Sequence, residues 1–282
     1  MMRAIQADLT EKAQRISAQL TPLFESEQAY LKTFLEAADH AVSAGGKRVR
    51  PVLTLLFAEL CGNAAPADAL QAALAIELLH SYTLVHDDLP SMDNDTERRG
   101  KPTVWAKYGE VTAVLAGDYL QAKAFQCIAQ CTTAAALLPI LTRAAVEVIH
   151  GQVADIDATQ QPSSAWSEQT LETIYAGKTC ALIAAACQMG VVAGGASADL
   201  AEKAFTFGYH LGMAFQLIDD LLDATQAQEG NEFNALAVCG GVEAVQARAT
   251  QATQTALAAL TAFPGDIMPL KVFAESLLKR QL

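Results

Sequence analysis

Charge is scarce in this chain, and positive charge is the scarcer sign. Of 282 residues only 18% are charged, and 19 Lys+Arg stand against 31 Asp+Glu for a formal net charge of −12. That balance argues against a general nucleic-acid or anionic-membrane surface, so an anionic ligand would need a local basic site. The six cysteines (Cys61, Cys127, Cys131, Cys180, Cys187 and Cys239) form no C-x2-C pair and sit on apolar stretches. They read as reduced core residues, which suits a cytoplasmic protein, and not as a zinc or disulfide framework. The GxxxxGK[ST] pattern is absent, so "SAGGKRVRP" is no nucleotide-binding loop. No Ser/His/Asp or Cys/His constellation offers a covalent nucleophile. The start, "MMRAIQADLTEKAQ", lacks a secretory apolar core. No Pro/Gly/Ser-rich linker divides the chain, which reads as one domain over 1–282. The longest apolar run, "CALIAAACQMGVVAGGASA", is mostly Ala and Gly and contains Gln188. It reads as a tightly packed internal helix, with no stable membrane insertion.

Helical periodicity is abundant. The chain is 52% hydrophobic, enough for a sizeable core, and no stretch shows sustained alternation with β-branched residues. Helices are predicted over about 5–20, 23–43, 50–62, 67–88, 110–131, 134–157, 167–193, 198–224, 241–262 and 266–280. Asp68, Ser167 and Ser197 are candidate N-caps. The expected fold is an all-α bundle of about ten helices.

Two aspartate clusters close long apolar helical stretches: Asp87-Asp88 with Asp93, and Asp219-Asp220 with Asp223. Carboxylates in such places are costly to desolvate unless a cation neutralises them. Hard oxygen ligands point to a divalent metal, and Mg²⁺ usually arrives with a phosphate ligand. At 100° per residue Asp219 and Asp223 differ by about 40° and share a face, whereas Asp220 points away from both. Pro90 ends the first helix near Asp88, so Asp93 meets Asp87 only if the following loop folds back. Either cluster alone could be a solvated helix end. Two of them, with Arg98-Arg99 and with Lys47, Arg48 and Arg50 nearby in sequence, favour diphosphate chemistry. His80 lies seven residues before Asp87, on the same helix face.

"GGKRVRP", "LLHSYTLVHDDLPSMDNDTERRGKPT", "GQVADIDA", "YAGKTCALIAAA" and "LGMAFQLIDDLLD", in this order, resemble the short-chain trans-prenyltransferases, most closely bacterial farnesyl diphosphate synthase. The resemblance covers roughly residues 25–225. It implies an all-α fold around a deep central cavity, a homodimer, and two to three Mg²⁺ per active site. It also implies condensation of isopentenyl diphosphate with allylic diphosphates (dimethylallyl, geranyl). By matching position, Asp87, Asp93 and Asp219 would coordinate metal, supported by Asp88, Asp220 and Asp223. Arg98, Lys178, Thr179 and Gln216 would contact the allylic substrate. Lys47, Arg50, His80 and Arg99 would hold isopentenyl diphosphate.

In the family the residues just before the first aspartate motif help set the pocket floor, here Tyr82 and Thr83. An aromatic five residues before Asp87, with the Leu89-Pro90 insertion, matches the bacterial C15 pattern, so the resemblance implies farnesyl diphosphate as product. Geranyl or geranylgeranyl diphosphate synthesis, or a catalytically weak regulatory subunit, are the alternatives. A class I terpene cyclase would be expected to carry a different second metal motif from the DDxxD at 219–223. The resemblance thins after Asp223. "ATQAQEGNEFNALAVCGGVEA" is shorter than the family's loop there and has no lysine, which implies weaker binding of the allylic diphosphate.

Overall fold

The computed structural model describes residues 2–226 and 234–278. Helices follow one another from the start: α1 (Met2–Leu20), α2 (Lys32–Ser43), α3 (Val49–Leu60) and α4 (Pro66–Asp87). A two-residue ribbon, β1 (Glu97–Arg98) with β2 (Lys101–Pro102), precedes α5 (Val104–Tyr108), α6 (Glu110–Ala129) and α7 (Ala134–Gln160). Then come α8 (Glu168–Tyr175), a π-helical turn over Ala176–Cys180, α9 (Ala181–Ala193) and α10 (Ala198–Gln226). After residues 227–233 the chain continues with α11 (Ala235–Cys239), α12 (Val242–Ala259) and α13 (Met268–Leu278). The all-α expectation holds.

Small residues make the centre possible. Helix α4 is buried on nearly every side, and its Ala72, Ala73 and Ala75 let α6 come close through its own Ala113, Ala116 and Ala124. Ile76, Leu78 and Leu79 fill the remaining space without any exposure. A second apolar cluster joins α3, α9, α10 and α13 around Phe57 and Phe207, whose rings meet edge-on at 5.3 Å. A third, with Leu171, Ile174, Leu217 and Val245, joins α8, α10 and α12.

Several local expectations are corrected. The helix predicted over 23–43 is broken: Pro22 starts a short 3-10 turn, Glu25 is extended, and Ser26 Oγ accepts the Gln28 N–H. Helix α2 therefore begins only at Lys32. Asp68 is no N-cap. Its buried carboxylate accepts from the backbone and hydroxyls of Thr132 and Thr133 at 2.7–3.1 Å, fastening the α6–α7 turn to α4. Ser167 does cap α8, accepting from Thr170 N at 3.1 Å. The helix predicted over 167–193 is interrupted by the π turn, and α5, α11 and the ribbon were not anticipated.

Arg48 leaves the proposed anion-binding run for the core. It donates to Glu77 Oε1 at 2.6 Å, to Val42 O at 2.5 Å and to Ser17 Oγ at 3.1 Å. Both partners of the Arg48–Glu77 pair are 5% exposed, and removing one partner of such a pair costs about 3–5 kcal/mol. Two helical spans, 134–160 and 168–193, are long and apolar enough to cross a bilayer. The apolar run containing Gln188 belongs to the second, which is largely buried inside the protein, with Gln188 accepting from Arg143 at 2.7 Å.

Candidate active site

Asp87 is the last residue of α4, and the chain turns back directly after it. Asp93 N donates to Asp87 O at 2.9 Å and Asn94 N to Leu89 O at 3.0 Å, so the loop does fold back. Asp88 is buried and accepts from Arg98 Nε at 2.7 Å, and Arg98 also reaches Asp95 at 3.5 Å. Arg98 is thus aimed by Asp88. Arg99 and Gly100, both at positive φ (56° and 74°), make the tight turn of the ribbon. That turn carries the Arg99 guanidinium to Gly45 O. Gly46 must stay a glycine for this, since a Cβ there would stand 2.5 Å from Arg99 Nη1.

The result is a cavity of about 840 Å³ whose walls include Lys47, Arg50, His80, Arg98, Arg99, Thr179, Gln216 and Asp219. These residues come from the start of α3, the middle of α4, the ribbon, the π turn and α10. The electrostatics are those of an anion site. Arg50 Nε is buried with no hydrogen-bond partner among the described residues. Burial, opposed by Glu77 and reinforced by Arg99, lowers the Arg50 guanidinium to about 10. Burial first, then Arg50, Arg99, Arg98 and Arg48, drives His80 well below its ordinary range, so it is neutral at pH 7.

A second cavity, about 230 Å³ and mostly apolar, has Asp87 on its wall. Tyr82, Thr83, Met92, Val148, Ile149, Val153 and Ile156 line it, with Asp87, Gln152 and Lys178 at its polar end. Tyr82 is therefore on the cavity wall. Its hydroxyl is buried beside Gln121 without a well-aligned hydrogen bond. Burial pushes Asp87 up to about 6, with Asp93 and Asp88 adding to the effect and Lys178 and Arg98 opposing it. His86 also lines this cavity, with its Nε2 3.0 Å from Val114 O.

On the π turn, Lys178 lines the apolar cavity and the next residue, Thr179, lines the cationic one. Asp155, which the sequence reading did not single out, holds the Lys178 ammonium at 2.6 Å. The signal for Asp155 was present in "GQVADIDA", where Gln152 and Asp155 are one helical turn apart and both near the site. The π turn itself is seated by a glycine–glycine contact: a Cβ on Gly177 would meet Gly151 Cα at 2.6 Å, and one on Gly151 would meet Lys178 N at 2.3 Å. Thr179 Oγ1 donates to Gln216 Oε1 at 2.9 Å, which ties the turn to α10.

Asp219 lines the cationic cavity, Asp223 is exposed, and Asp220 points elsewhere. Asp220 accepts from the Tyr175 hydroxyl, from Ala235 N at 2.6 Å and from Gln216 Nε2 at 3.4 Å. The middle of the lysine-free stretch after Asp223 falls on residues 227–233, outside the described residues.

Among the described residues no three acidic, His or Cys side chains form a ready metal cage. The donor set still suits Mg²⁺, which is commonly held by one or two carboxylates with substrate phosphates completing its shell. Asp87 lines the apolar cavity and Asp219 the cationic one, and burial raises Asp87 against the opposing charge of Lys178 and Arg98.

A family profile described as polyprenyl synthetase matches residues 31–234. The chain belongs to that family. Relatives in it include a chloroplastic geranylgeranyl pyrophosphate synthase of Capsicum annuum, 40% identical over 229 residues, 78% of this chain and 61% of the pepper protein. A geranylgeranyl diphosphate synthase of Methanosarcina mazei is 36% identical over 236 residues, 81% of this chain and 70% of that one. The chain thus spans about 61% of the length of its pepper relative. Among solved structures, an apo FPP/GFPP synthase from Zymomonas mobilis superposes with a TM-score of 0.89 at 29% identity, covering 99% of this chain and 100% of that one. The resemblance to short-chain trans-prenyltransferases and the isoprenoid-synthase fold are both borne out. Several polyprenyl synthetase relatives of this chain are named for the C20 product, which bears on the choice of product below.

Proposed function

We propose that this chain joins isopentenyl diphosphate head to tail with allylic diphosphates, with farnesyl diphosphate as the product. One observation carries this reading. A cationic cavity containing a buried, unpartnered Arg50 Nε and an apolar cavity with Asp87 and Lys178 on its wall are lined by consecutive residues, Leu84 and Thr83 on α4 and Thr179 and Lys178 on the π turn. Two anionic head groups and one hydrocarbon tail fit that division of polarity.

In this reading Lys47, Arg50, His80 and Arg99 bind the isopentenyl diphosphate. Neutral His80 can donate one hydrogen bond without adding charge to an already cationic wall. Arg98, aimed by Asp88, and Lys178, aimed by Asp155, bind the allylic diphosphate with Thr179 and Gln216. Asp87, Asp93 and Asp219 would hold two to three Mg²⁺. Bound Mg²⁺ would supply the positive charge that stabilises diphosphate as it leaves. The arginines and Lys178 supplement that charge from fixed positions, where it needs no reorganisation. Tyr82, Val148 and Ile156 exclude water from the cationic carbon, and the double bond of isopentenyl diphosphate then attacks it. The departing diphosphate takes the final proton, so no protein nucleophile is required.

Tyr82 supports a C15 product, because its buried ring occupies the wall of the apolar cavity about 7.5 Å along α4 from Asp87. A C20 product is the second reading, favoured by the names of the sequence relatives. A homodimer is supported by apolar side chains left outward on α6 and α7, among them Val111, Leu115, Val146 and Val153. A cytoplasmic setting, and one domain over the whole chain, complete the reading.

The test is chromatography of products from isopentenyl and dimethylallyl diphosphates with Mg²⁺. Farnesyl diphosphate is expected, Tyr82→Ala should extend it to C20 or beyond, and Asp87→Ala should cut turnover by at least about 10²-fold with an unchanged helical spectrum. A wild-type C20 product overturns the C15 assignment. No product at all, with stimulation of a separate prenyl synthase, would favour the regulatory-subunit alternative.

A further inference from the structure

The Tyr175 hydroxyl belongs to none of the sequence motifs' expected roles, yet it ends in the second aspartate cluster. Tyr175 is the last residue of α8, immediately before the π turn that carries Lys178 and Thr179. Its ring is buried, and its hydroxyl donates to Asp220 Oδ2 on α10. The same oxygen accepts Ala235 N, at the first residue of α11, at 2.6 Å. The other oxygen faces Gln216 Nε2 at 3.4 Å, and Gln216 in turn accepts from Thr179. Three segments therefore converge on one carboxylate: the approach to the π turn, the aspartate helix, and the chain returning after residues 227–233.

We infer that Tyr175 is a positioning residue for the allylic-diphosphate half of the site, acting through Asp220. Its hydroxyl and the α11 amide take up Asp220 and hold the helix face that presents Asp219 and Gln216. The same bond ties the first residue of the π turn's approach to that helix, so the spacing between Lys178–Thr179 and Gln216–Asp219 is braced at both ends. Asp220 is then a joint, not a ligand. The α11 attachment also gives the second aspartate cluster a fixed neighbour on the far side of residues 227–233. The inference rests on the prenyl-transfer reading above for what the site binds, and on hydrogen-bond geometry alone for what holds it.

Tyr175→Phe tests this, because it removes one oxygen and leaves the ring packed against its neighbours. The apparent KM for the allylic diphosphate and the Mg²⁺ concentration for half-maximal rate should each rise about 5–10-fold, the size expected for the net loss of one ordinary intramolecular hydrogen bond. The KM for isopentenyl diphosphate should change less than about twofold, a split that a merely structural defect would not produce. In an Asp220→Ala background, adding Tyr175→Phe should have no further effect on either parameter. A second readout does not depend on turnover: calorimetric binding of inorganic pyrophosphate with Mg²⁺ should weaken by the same factor in Tyr175→Phe. If wild type forms no prenyl product, the broader reading fails, and the pyrophosphate titration still decides the role of Tyr175. Equal loss on both substrates, additive effects in the double variant, or unchanged pyrophosphate binding with only a lower Tm would overturn the positioning role.

Discussion

Burial pushes the Asp87 carboxyl up to about 6, so in the metal-free protein its ionisation works against folding. Below about pH 4 it is protonated in both states and contributes nothing. Between about 4 and 6 the unfolded chain ionises first, so the folded state loses stability as pH rises; above 6 the deficit is constant. Asp87→Asn should therefore stabilise the metal-free protein at pH 7.5 by on the order of 1–3 kcal/mol, with the gain vanishing near pH 4. Urea denaturation of both proteins across that range checks it, and a gain that grows on acidification would refute it. His80, held low, has the opposite sign and destabilises on acidification below about 6.5, but it is common to both proteins and cancels in the difference. The Asp87 cluster and its basic partners were legible in the sequence because residue type and helix period state them directly. Arg48 was not, since only the tertiary partner Glu77 shows it to be a core residue. Nor was Tyr175, whose acceptor lies 45 residues away in the chain.

At the scale of elements, long periodic helices were readable and local departures from them were not. Helix α4 matched its prediction to within a residue or so, with Pro66 in its first turn and Pro90 beyond its end. The break after Phe24 escaped because apolar spacing continues through it while Ser26 redirects the backbone. The π turn escaped for a different reason: "YAGKTC" has ordinary helical residues, and the extra backbone residue is forced by the close approach of α7. Gly151→Ala tests that explanation. Its Cβ would stand 2.3 Å from Lys178 N, a backbone atom that can yield only by moving the turn. A stability loss of about 1–3 kcal/mol is expected, together with at least a tenfold fall in kcat/KM for the allylic substrate. Thermal melts and steady-state kinetics on the folded protein read both. Loss of stability without loss of kcat/KM would mean that the turn does not set the Lys178 position.

For the molecule as a whole, the outward apolar residues of α6 and α7 and the open side of the chain pocket are one question. Ile149 and Val153 are 48% and 61% exposed, yet both line the apolar cavity. A second copy on this face would wall the cavity from outside. Val146→Asp should yield monomers in sedimentation velocity, and their product distribution should broaden as the unshielded tail meets water. Dimers that survive the substitution would place the interface elsewhere. The cationic cavity has a further consequence in a chain of net charge −12. An incoming diphosphate meets repulsion over distances up to the Debye length, about 10 Å at 0.1 M salt, and attraction only near the mouth at exposed Lys47. Raising ionic strength from about 0.01 to 0.1 M shortens the repulsion more than it weakens the buried pairs. The association rate for isopentenyl diphosphate should therefore rise with salt over that range in stopped-flow mixing; a steady fall would show that the local field dominates. Such a surface selects against bare polyanions and for diphosphates already escorted by a cation.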